Sequence, residues 1–379
     1  MNIVFTLPLF HDHETFLQQR LEKASVIKGR SPASLIGELD AFTDRVMKNL
    51  DSVDRKAPMA GYSEAFEASL VKSIKTTRKS ARTLLRGFFF EWWQILHLRA
   101  YTDYPHLPQP EKCRTAFLPE SDVGAIAASN KDDPLRDFRP EKRPPPARSG
   151  MHPHLWYDGA GSGMHFDEEP DGFFPVDYGA MLHAVGRTAR NVPDAVEMLE
   201  KLSPNWARAN VILVDREKRS ARIDKCSFNR FAVRLNTRPC IEHISGMVCF
   251  DATYKAYQKS LREEYLASVK GTWAGYEGAA WDSNDLKDRV LDDGLRKIEK
   301  NPTYDGLLKL LTCHERPGYL CKHGDPVQEG EPVAREYTLE RKFHLIEKKE
   351  LHRWQWDAEK NIPTCQAPRE VYPFEMFAS

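Results

Sequence analysis

The order of helical and strand patterns along the chain constrains the fold most. Apolar residues recur at helical spacing through roughly the first 110 residues, with a helix start at Ser31-Pro32 and apolar stripes over residues 35–50 and 66–85. From Thr115 onward, short strand patterns occur in two groups, with helical segments between the groups. Strands grouped in this way favour a layered α+β fold over a doubly wound parallel sheet.

The predicted elements of the second part are short. The strands are Thr115–Leu118, Gly124–Ser129, Asn210–Val214, Ala221–Asp224 and Phe231–Leu235, followed by a hairpin of Tyr337–Ile346 with Glu350–Trp356. The helices are expected over residues 177–189, 194–202, 254–269 and 284–300. A glycine-rich turn is predicted at Asp158–Gly163, but it is too short for a phosphate loop and strand-like residues follow it, so nucleotide binding is not expected.

Composition excludes several classes of function. The chain of 379 residues has 55 basic and 55 acidic side chains, so no global field would attract nucleic acid or an anionic membrane. It contains no apolar run long enough to span a bilayer. Seven cysteines, an odd number scattered along the chain, do not form a disulfide framework and are typical of a reducing cytoplasm. We therefore expect a cytoplasmic protein.

One cysteine opens the first predicted strand. Cys113 begins the run Cys113–Phe117, and the carboxylates of Asp132 and Asp133 return on the next strand. A cysteine at a chain N-terminus holds a thiol with a pKa of ~8.5 beside an α-amino group with a pKa of ~7.7–8, so the amine can serve as the base. A neighbouring carboxylate would orient that amine, and Arg114 could anchor a carboxylate or support the oxyanion region. The alternative is that Cys113 is a small buried hydrophobic residue.

Seven segments occur in an order typical of one enzyme family. They are Gln94–Ala100, Cys113–Phe117, Asn130–Asp132, Gly163–Asp167, Ala209–Asp215, Ser245–Cys249 and Gly318–Lys322. From about Leu84 to Trp354 this order resembles the acyl-coenzyme A:6-aminopenicillanic acid (isopenicillin-N) acyltransferase family, the autoproteolytic N-terminal-nucleophile cysteine enzymes. Cys113–Phe117 resembles the family's nucleophile strand, Cys-Thr-Thr-Ala-Tyr, and Asn130–Asp132 resembles its Asn-Trp-Asp.

The resemblance implies a fold and an activity. The fold would be a four-layer αββα N-terminal-nucleophile hydrolase fold of one structural domain, with a helical N-terminal segment, 1–112, and a catalytic segment, 113–379. Cleavage before Cys113 would separate the two segments, which would stay associated through the apolar helical stripes. The activity would be that of an amidohydrolase or acyltransferase acting on a small-molecule amide or thioester through an acyl-enzyme, without cofactor or metal.

The resemblance also implies roles for individual residues. Cys113 matches the nucleophile and Asp132 the catalytic aspartate. Ser245 and Gly246 fall where the family has its oxyanion asparagine, so a hydroxyl or backbone N–H is expected to serve there. The residues assigned to substrate binding are Arg114, His165 and Lys322.

Three positions depart from the family pattern. Lys112 precedes the nucleophile where the family has glycine, Gly246 replaces the oxyanion asparagine, and Lys322 replaces an arginine. Lysine keeps the positive charge but loses the bidentate fork of a guanidinium, so the contact with a substrate carboxylate would differ. Lys112 and the missing oxyanion asparagine favour an alternative, in which the protein keeps the fold without catalysis and binds a small acyl compound or a protein partner. The colinear order of Cys113, its strand and Asp132 disfavours that alternative.

A further possibility is a zinc-bound hydrolase. Four potential ligands fall within residues 313–323, namely Cys313, His314, Cys321 and His323. Their spacing is not that of a common zinc finger or ribbon. The sequence therefore predicts a loop with a buried cysteine and solvated histidines, and no metal site.

Overall fold

The computed structural model describes residues 31, 33–34, 41, 113–134, 152, 154–161, 178–201, 209–227, 230–246, 248–256, 259, 263, 272–315, 320–323, 336–357 and 359–373. Ala33 and Ser34 are helical, and the Ser34 N–H donates to Ser31 Oγ at 3.2 Å. This bond confirms the helix start predicted at Ser31. The other predicted helical stripes before Cys113 lie outside the described residues.

Among the described residues, ten strands and four helices have both ends defined, and residues 33, 34, 41, 252–256, 259 and 263 are also helical. The strands are β1 Arg114–Leu118, β2 Ile126–Pro134, β3 Leu155–Gly161, β4 Ala209–Asp215, β5 Ser220–Ser227, β6 Arg230–Asn236, β7 Glu242–Ser245, β8 Glu336–Leu345, β9 Glu350–Gln355 and β10 Glu370–Pro373. The helices are α1 Tyr178–Thr188, α2 Val192–Lys201, α3 Thr272–Glu299 and α4 Tyr304–Leu311. None of these helices is both long and apolar enough to cross a membrane.

The strands form two antiparallel sheets. The first sheet has the order β10-β9-β8-β2-β1-β7, and the second has the order β3-β4-β5-β6. In the first sheet, Arg114 of β1 pairs with Asn130 of β2 on one side and with Ser245 of β7 on the other. The strand that follows Cys113 is therefore enclosed by two neighbours.

The two sheets pack face to face between helices. Phe117, Trp156 and Ile212 belong to an apolar core between the sheets. On its other face, the first sheet packs against α3 and α4, while α1 and α2 contact the second sheet. Side chains of β1 alternate between the two cores, as the period of a strand requires. The layer order is αββα, which confirms the predicted fold class.

Several element boundaries differ from prediction. β2 continues five residues beyond Ser129, which brings Asp132 into the sheet. The turn predicted at Asp158–Gly163 is wrong for its first four residues, because all of Leu155–Gly161 pairs in register with β4. Pairing along the whole strand outweighs the preference of glycine for turns. α3 begins at Thr272, twelve residues before the predicted start, and α4, β7 and β10 were not predicted.

Helices α3 and α4 approach each other closely at Gly294. A Cβ atom at this position would lie 2.3 Å from Leu310 Cδ1 of α4, well inside van der Waals contact. The absence of a side chain therefore sets the distance between these helices, which cover the outer face of the first sheet.

Candidate active site

Cys113 lies at the start of β1, in the interior of the first sheet. Its φ of 57° is in the left-handed region, which residues with a Cβ seldom adopt. Its carbonyl oxygen accepts the Gly246 N–H at 2.9 Å. The side chain is half-buried and packs against the core between the sheets. The predicted nucleophile thus faces the space between the two sheets.

A buried carboxylate on β3, Asp158, contacts Thr115, which lies two residues after Cys113 on the same face of β1. The Thr115 hydroxyl donates to Asp158 Oδ2 at 2.9 Å, and the Gly159 N–H donates to Asp158 Oδ1 at 2.8 Å. Burial raises the pKa of Asp158, so a proton is held more readily there than on an exposed aspartate. The sequence did not mark Asp158 as a candidate, because Asp158 stood in a predicted turn rather than at an inward position of a strand.

Charged side chains continue along β8. Glu340 accepts hydrogen bonds from Arg353 Nε at 2.7 Å and forms an ion pair with Lys342 Nζ at 2.8 Å. Burial opposes the ionisation of Glu340, but Lys342 and Arg353 outweigh it and lower its pKa to about 2. Lys342 also favours the ionised form of Asp158, against the effect of burial. These groups make the space between the sheets polar at this end of the molecule.

Asp132 pairs with the residue that follows Cys113. Arg114 and Asp132 form an ion pair in which both side chains are fully buried. Arg114 lies opposite Asn130, whose side-chain amide donates to the Leu311 carbonyl of α4 at 2.9 Å, so this face of the sheet looks toward the helices. Asp132 therefore lies beside β1 but on the helix side of the sheet, whereas the Cys113 side chain packs on the side between the sheets. The roles of Asp132 in orienting the amine and of Arg114 in binding substrate stay predictions.

Thr338 connects Asp132 with Lys322. The Thr338 hydroxyl donates to Asp132 Oδ1 at 2.7 Å and accepts the Lys322 N–H at 2.9 Å. The Thr338 N–H donates to the Lys322 carbonyl at 2.9 Å, and the Thr364 hydroxyl donates to the Thr338 carbonyl. Lys322, which is 2% exposed, thus belongs to the same cluster as Asp132. Sequence reasoning missed Thr338, because no local pattern distinguishes a threonine near the start of a hairpin strand.

Ser245 and Gly246 lie beside the start of β1. Ser245 is opposite Arg114, and its buried hydroxyl has no hydrogen-bond partner among the described residues. Gly246 has a φ of 55°, and its N–H is used by the Cys113 carbonyl. The Asn210 side-chain amide of β4 donates to the Gly246 carbonyl at 3.4 Å and so fixes this turn. An oxyanion role for Gly246 stays a prediction and would require its bond to Cys113 to open.

His165, assigned to substrate binding from sequence, lies outside the described residues.

A cavity of about 460 Å³ opens beyond Ser245, between the second sheet, β7 and α3. Its walls include Arg222, Arg234, His243 and Asp288. The volume suits a small ligand, but Cys113 is not among its lining residues, and we do not assign it to the substrate of Cys113.

A second cluster lies next to Lys322. The ligand atoms of His314, Cys321, His323 and Cys365 all lie within 4.8 Å of one another. The exposed His314 and buried Cys321 agree with the predicted loop. Cys313 is not a member of the group, and Cys365 takes its place. Sequence spacing could not have indicated Cys365, because it follows His323 by 42 residues.

Comparison with known proteins gives weak likenesses. No protein-family model and no curated protein matches the chain. Among solved structures, a single-residue variant of conjugated bile acid hydrolase from Clostridium perfringens has 10% identity and a TM-score of 0.34, covering 72% of this chain and 92% of that one. Penicillin V acylase from Agrobacterium tumefaciens has 12% identity and a TM-score of 0.34, covering 64% and 82%. At these scores the activity has to be argued from the site itself.

Proposed function

We propose that the protein is a cysteine amidohydrolase or acyltransferase of the N-terminal-nucleophile type, with Cys113 as its nucleophile. The observation that carries the proposal is the place of Cys113. It begins an inner strand of an αββα sandwich, faces the space between the sheets, and is followed by a buried Arg114–Asp132 pair. A lone structural cysteine has no need of such a charged pair at the adjacent position, since burying two charges is costly.

Self-cleavage would create the active form. The Cys113 thiol attacks the carbonyl carbon of Lys112, the C–N bond breaks, and the released nitrogen takes up the proton as the α-amine of Cys113. The resulting thioester is hydrolysed by water, which leaves a new carboxylate on Lys112 and restores the thiol. The products would be residues 1–112 and 113–379, and we expect the apolar helical stripes predicted in the first to keep the two together.

In turnover, the new α-amine accepts the proton of the Cys113 thiol. The thiolate attacks the carbonyl carbon of an amide or thioester, and the leaving group departs with that proton, which gives an acyl-enzyme on Cys113. Water then releases a carboxylic acid, or an amine releases a new amide. Asp132, fixed by Thr338, would act on this chemistry through Arg114 and the start of β1.

The substrate class follows from the surroundings of the thiol. The neighbouring apolar core includes Phe117, Trp156 and Ile244, which suits the acyl part of a substrate. Lys342 and the other charged groups between the sheets suit a polar part. We therefore propose a small amide or acyl-thioester with an apolar acyl group.

A specific observation favours the catalytically silent alternative. Gly246 stands where the family that the sequence resembles has its oxyanion asparagine. Its N–H donates a hydrogen bond to the Cys113 carbonyl. Removing one oxyanion donor costs an enzyme about 3 kcal/mol in transition-state stabilisation. A silent protein with this fold would have no need of that donor.

The intact mass under denaturing conditions separates the two proposals. We expect the wild-type protein to split into residues 1–112 and 113–379, while Cys113→Ala stays at full length. Cys240→Ala is a matched control, because Cys240 is also a half-buried cysteine but lies away from β1, against Ser220. It should split like the wild type. A wild-type chain that remains whole after prolonged incubation would refute self-cleavage and support the silent protein.

A further inference from the structure

We propose that His314, Cys321, His323 and Cys365 bind one zinc ion as a structural site. These four residues come from three separate parts of the chain, namely the end of α4, the segment before β8, and the turn after β9. Two thiols and two imidazoles form a ligand set that zinc commonly takes in structural sites. The inference does not rest on the proposed function of Cys113.

Three distances between the ligand atoms lie close to those of bound zinc, and all four atoms lie within 4.8 Å of one another. Zinc lies about 2.3 Å from thiolate sulfur and about 2.0–2.1 Å from imidazole nitrogen, so a tetrahedral arrangement separates its ligand atoms by roughly 3.3–3.8 Å. His314 Nε2 and His323 Nε2 are 3.2 Å apart, and His323 Nε2 is 3.7 Å from Cys321 Sγ and 3.1 Å from Cys365 Sγ. Small side-chain movements would admit an ion at the centre.

Backbone contacts hold three of the four ligands in place. Cys321 donates its N–H to the Cys313 carbonyl at 3.2 Å, which ties this ligand to the chain that follows α4. His323 pairs with Tyr337 across an isolated bridge, next to β8. Cys365 lies in a turn in which the Gln366 N–H donates to the Pro363 carbonyl at 2.8 Å. The arrangement is therefore formed by the fold, and not by the flexibility of long side chains.

The surroundings of the ligands also suit a metal site. Arg341 Nη2 donates to Cys321 Sγ at 3.4 Å, and the ring of Trp356 lies edge-on to His323 at 6.2 Å between centroids. In metal sites, residues around the ligands typically orient them by hydrogen bonds and shield them from water.

The number of ligands indicates structure rather than catalysis. Four protein ligands complete a tetrahedral shell and leave no position for water or substrate. The site would join the C-terminal turn to the body of the protein, beside Thr364, whose hydroxyl donates to Thr338, the residue that holds Asp132. Zinc would therefore fix the C-terminal segment against the Asp132 cluster.

The zinc content of the full-length protein tests the proposal. The protein is produced in zinc-supplemented medium, dialysed against metal-free buffer under reducing conditions, and analysed by plasma mass spectrometry. We expect one zinc per chain in the wild type and at least about a tenfold loss in Cys321→Ser and Cys365→Ser. Cys313→Ser is the matched control and should keep its zinc, because Cys313 lies directly before His314 but outside the cluster.

A second measurement guards against variants that fail to fold. His314 is exposed, so His314→Gln should preserve the fold and still weaken zinc binding. Cobalt added to the metal-free wild type should give a thiolate-to-cobalt charge-transfer band, which should be weaker in Cys365→Ser because only the Cys321 thiolate remains. Wild type that takes up neither zinc nor cobalt overturns the proposal. So does a disulfide between Cys321 and Cys365 in freshly purified protein, seen as a mass lower by two hydrogens, or loss of zinc in Cys313→Ser.

Discussion

Replacing Asp132 by asparagine tests the buried ion pair directly. The substitution Asp132→Asn keeps the size of the side chain and an oxygen that can accept the Thr338 hydroxyl, so it removes little besides the charge. Both Arg114 and Asp132 have 0% of their side chains exposed, so water cannot replace the lost carboxylate. Breaking a buried ion pair by removing one partner typically destabilises a protein by 3–5 kcal/mol. We expect a loss of about 4 kcal/mol in the free energy of unfolding.

Urea denaturation measures this loss. The variants are compared in the Cys113→Ala background, so that every sample is a single uncleaved chain. A loss of about 4 kcal/mol would lower the urea midpoint by roughly 1–2 M for a chain of this size. Asp292→Asn is the matched control, because Asp292 forms an exposed ion pair with Arg296 at 2.9 Å. Exposed pairs of this kind contribute at most about 0.5 kcal/mol.

Two outcomes would refute the reasoning. Equal midpoints for Asp132→Asn and Asp292→Asn would show that the Arg114–Asp132 pair is solvated. The double variant Arg114→Met with Asp132→Leu removes both charges and should be more stable than Asp132→Asn, because no charge is left buried. If the double variant is less stable than Asp132→Asn, packing at these positions, rather than charge, determines the loss of stability.

Two further predictions concern stability. The pKa of Glu340 is lowered to about 2 in the folded protein, so the stabilisation it provides is complete above its unfolded value of about 4.3 and is lost as the pH falls from there toward 2. Glu340→Gln should therefore flatten the loss of stability between about pH 5 and pH 2 in acid titrations followed by circular dichroism; an unchanged slope would contradict this. Gly294→Ala should destabilise the protein by about 1–3 kcal/mol in thermal unfolding, because its Cβ would overlap Leu310, whereas Gly294→Ala combined with Leu310→Ala should recover part of the loss.

The parts of the fold that sequence predicted are those determined by local patterns. The hairpin of β8 and β9 was found within one residue at each end, because alternating polar and apolar residues flank a short turn. β1, predicted as Thr115–Leu118, begins at Arg114, one residue before the predicted start. β3 was missed at Asp158–Gly161, because its glycines have turn preference and only pairing with β4 makes the segment a strand.

The parts of the site that sequence missed depend on contacts between distant residues. Cys365 lies beside His323 only because the chain after β9 folds back, and no local spacing encodes that return. Thr338 reaches Asp132 through the pairing of β2 with β8, across a register shift at Lys131 and Asp132. That Cys113 and Asp132 belong to adjacent strands could be predicted from sequence, whereas their places on opposite faces of the sheet and the pairing of Asp132 with Arg114 required the structure.

The left-handed backbone of Cys113 has a consequence for the direction of self-cleavage. The dihedral angle φ is defined by the carbonyl carbon of the preceding residue, so it exists at Cys113 only while Lys112 is attached. A non-glycine residue in this region stores of order 1–3 kcal/mol. An uncut chain carries that energy, and a chain that begins at Cys113 has no such angle to strain. Release of this strain would therefore favour cleavage of the Lys112–Cys113 bond over its re-formation, and the uncut chain could release it only once.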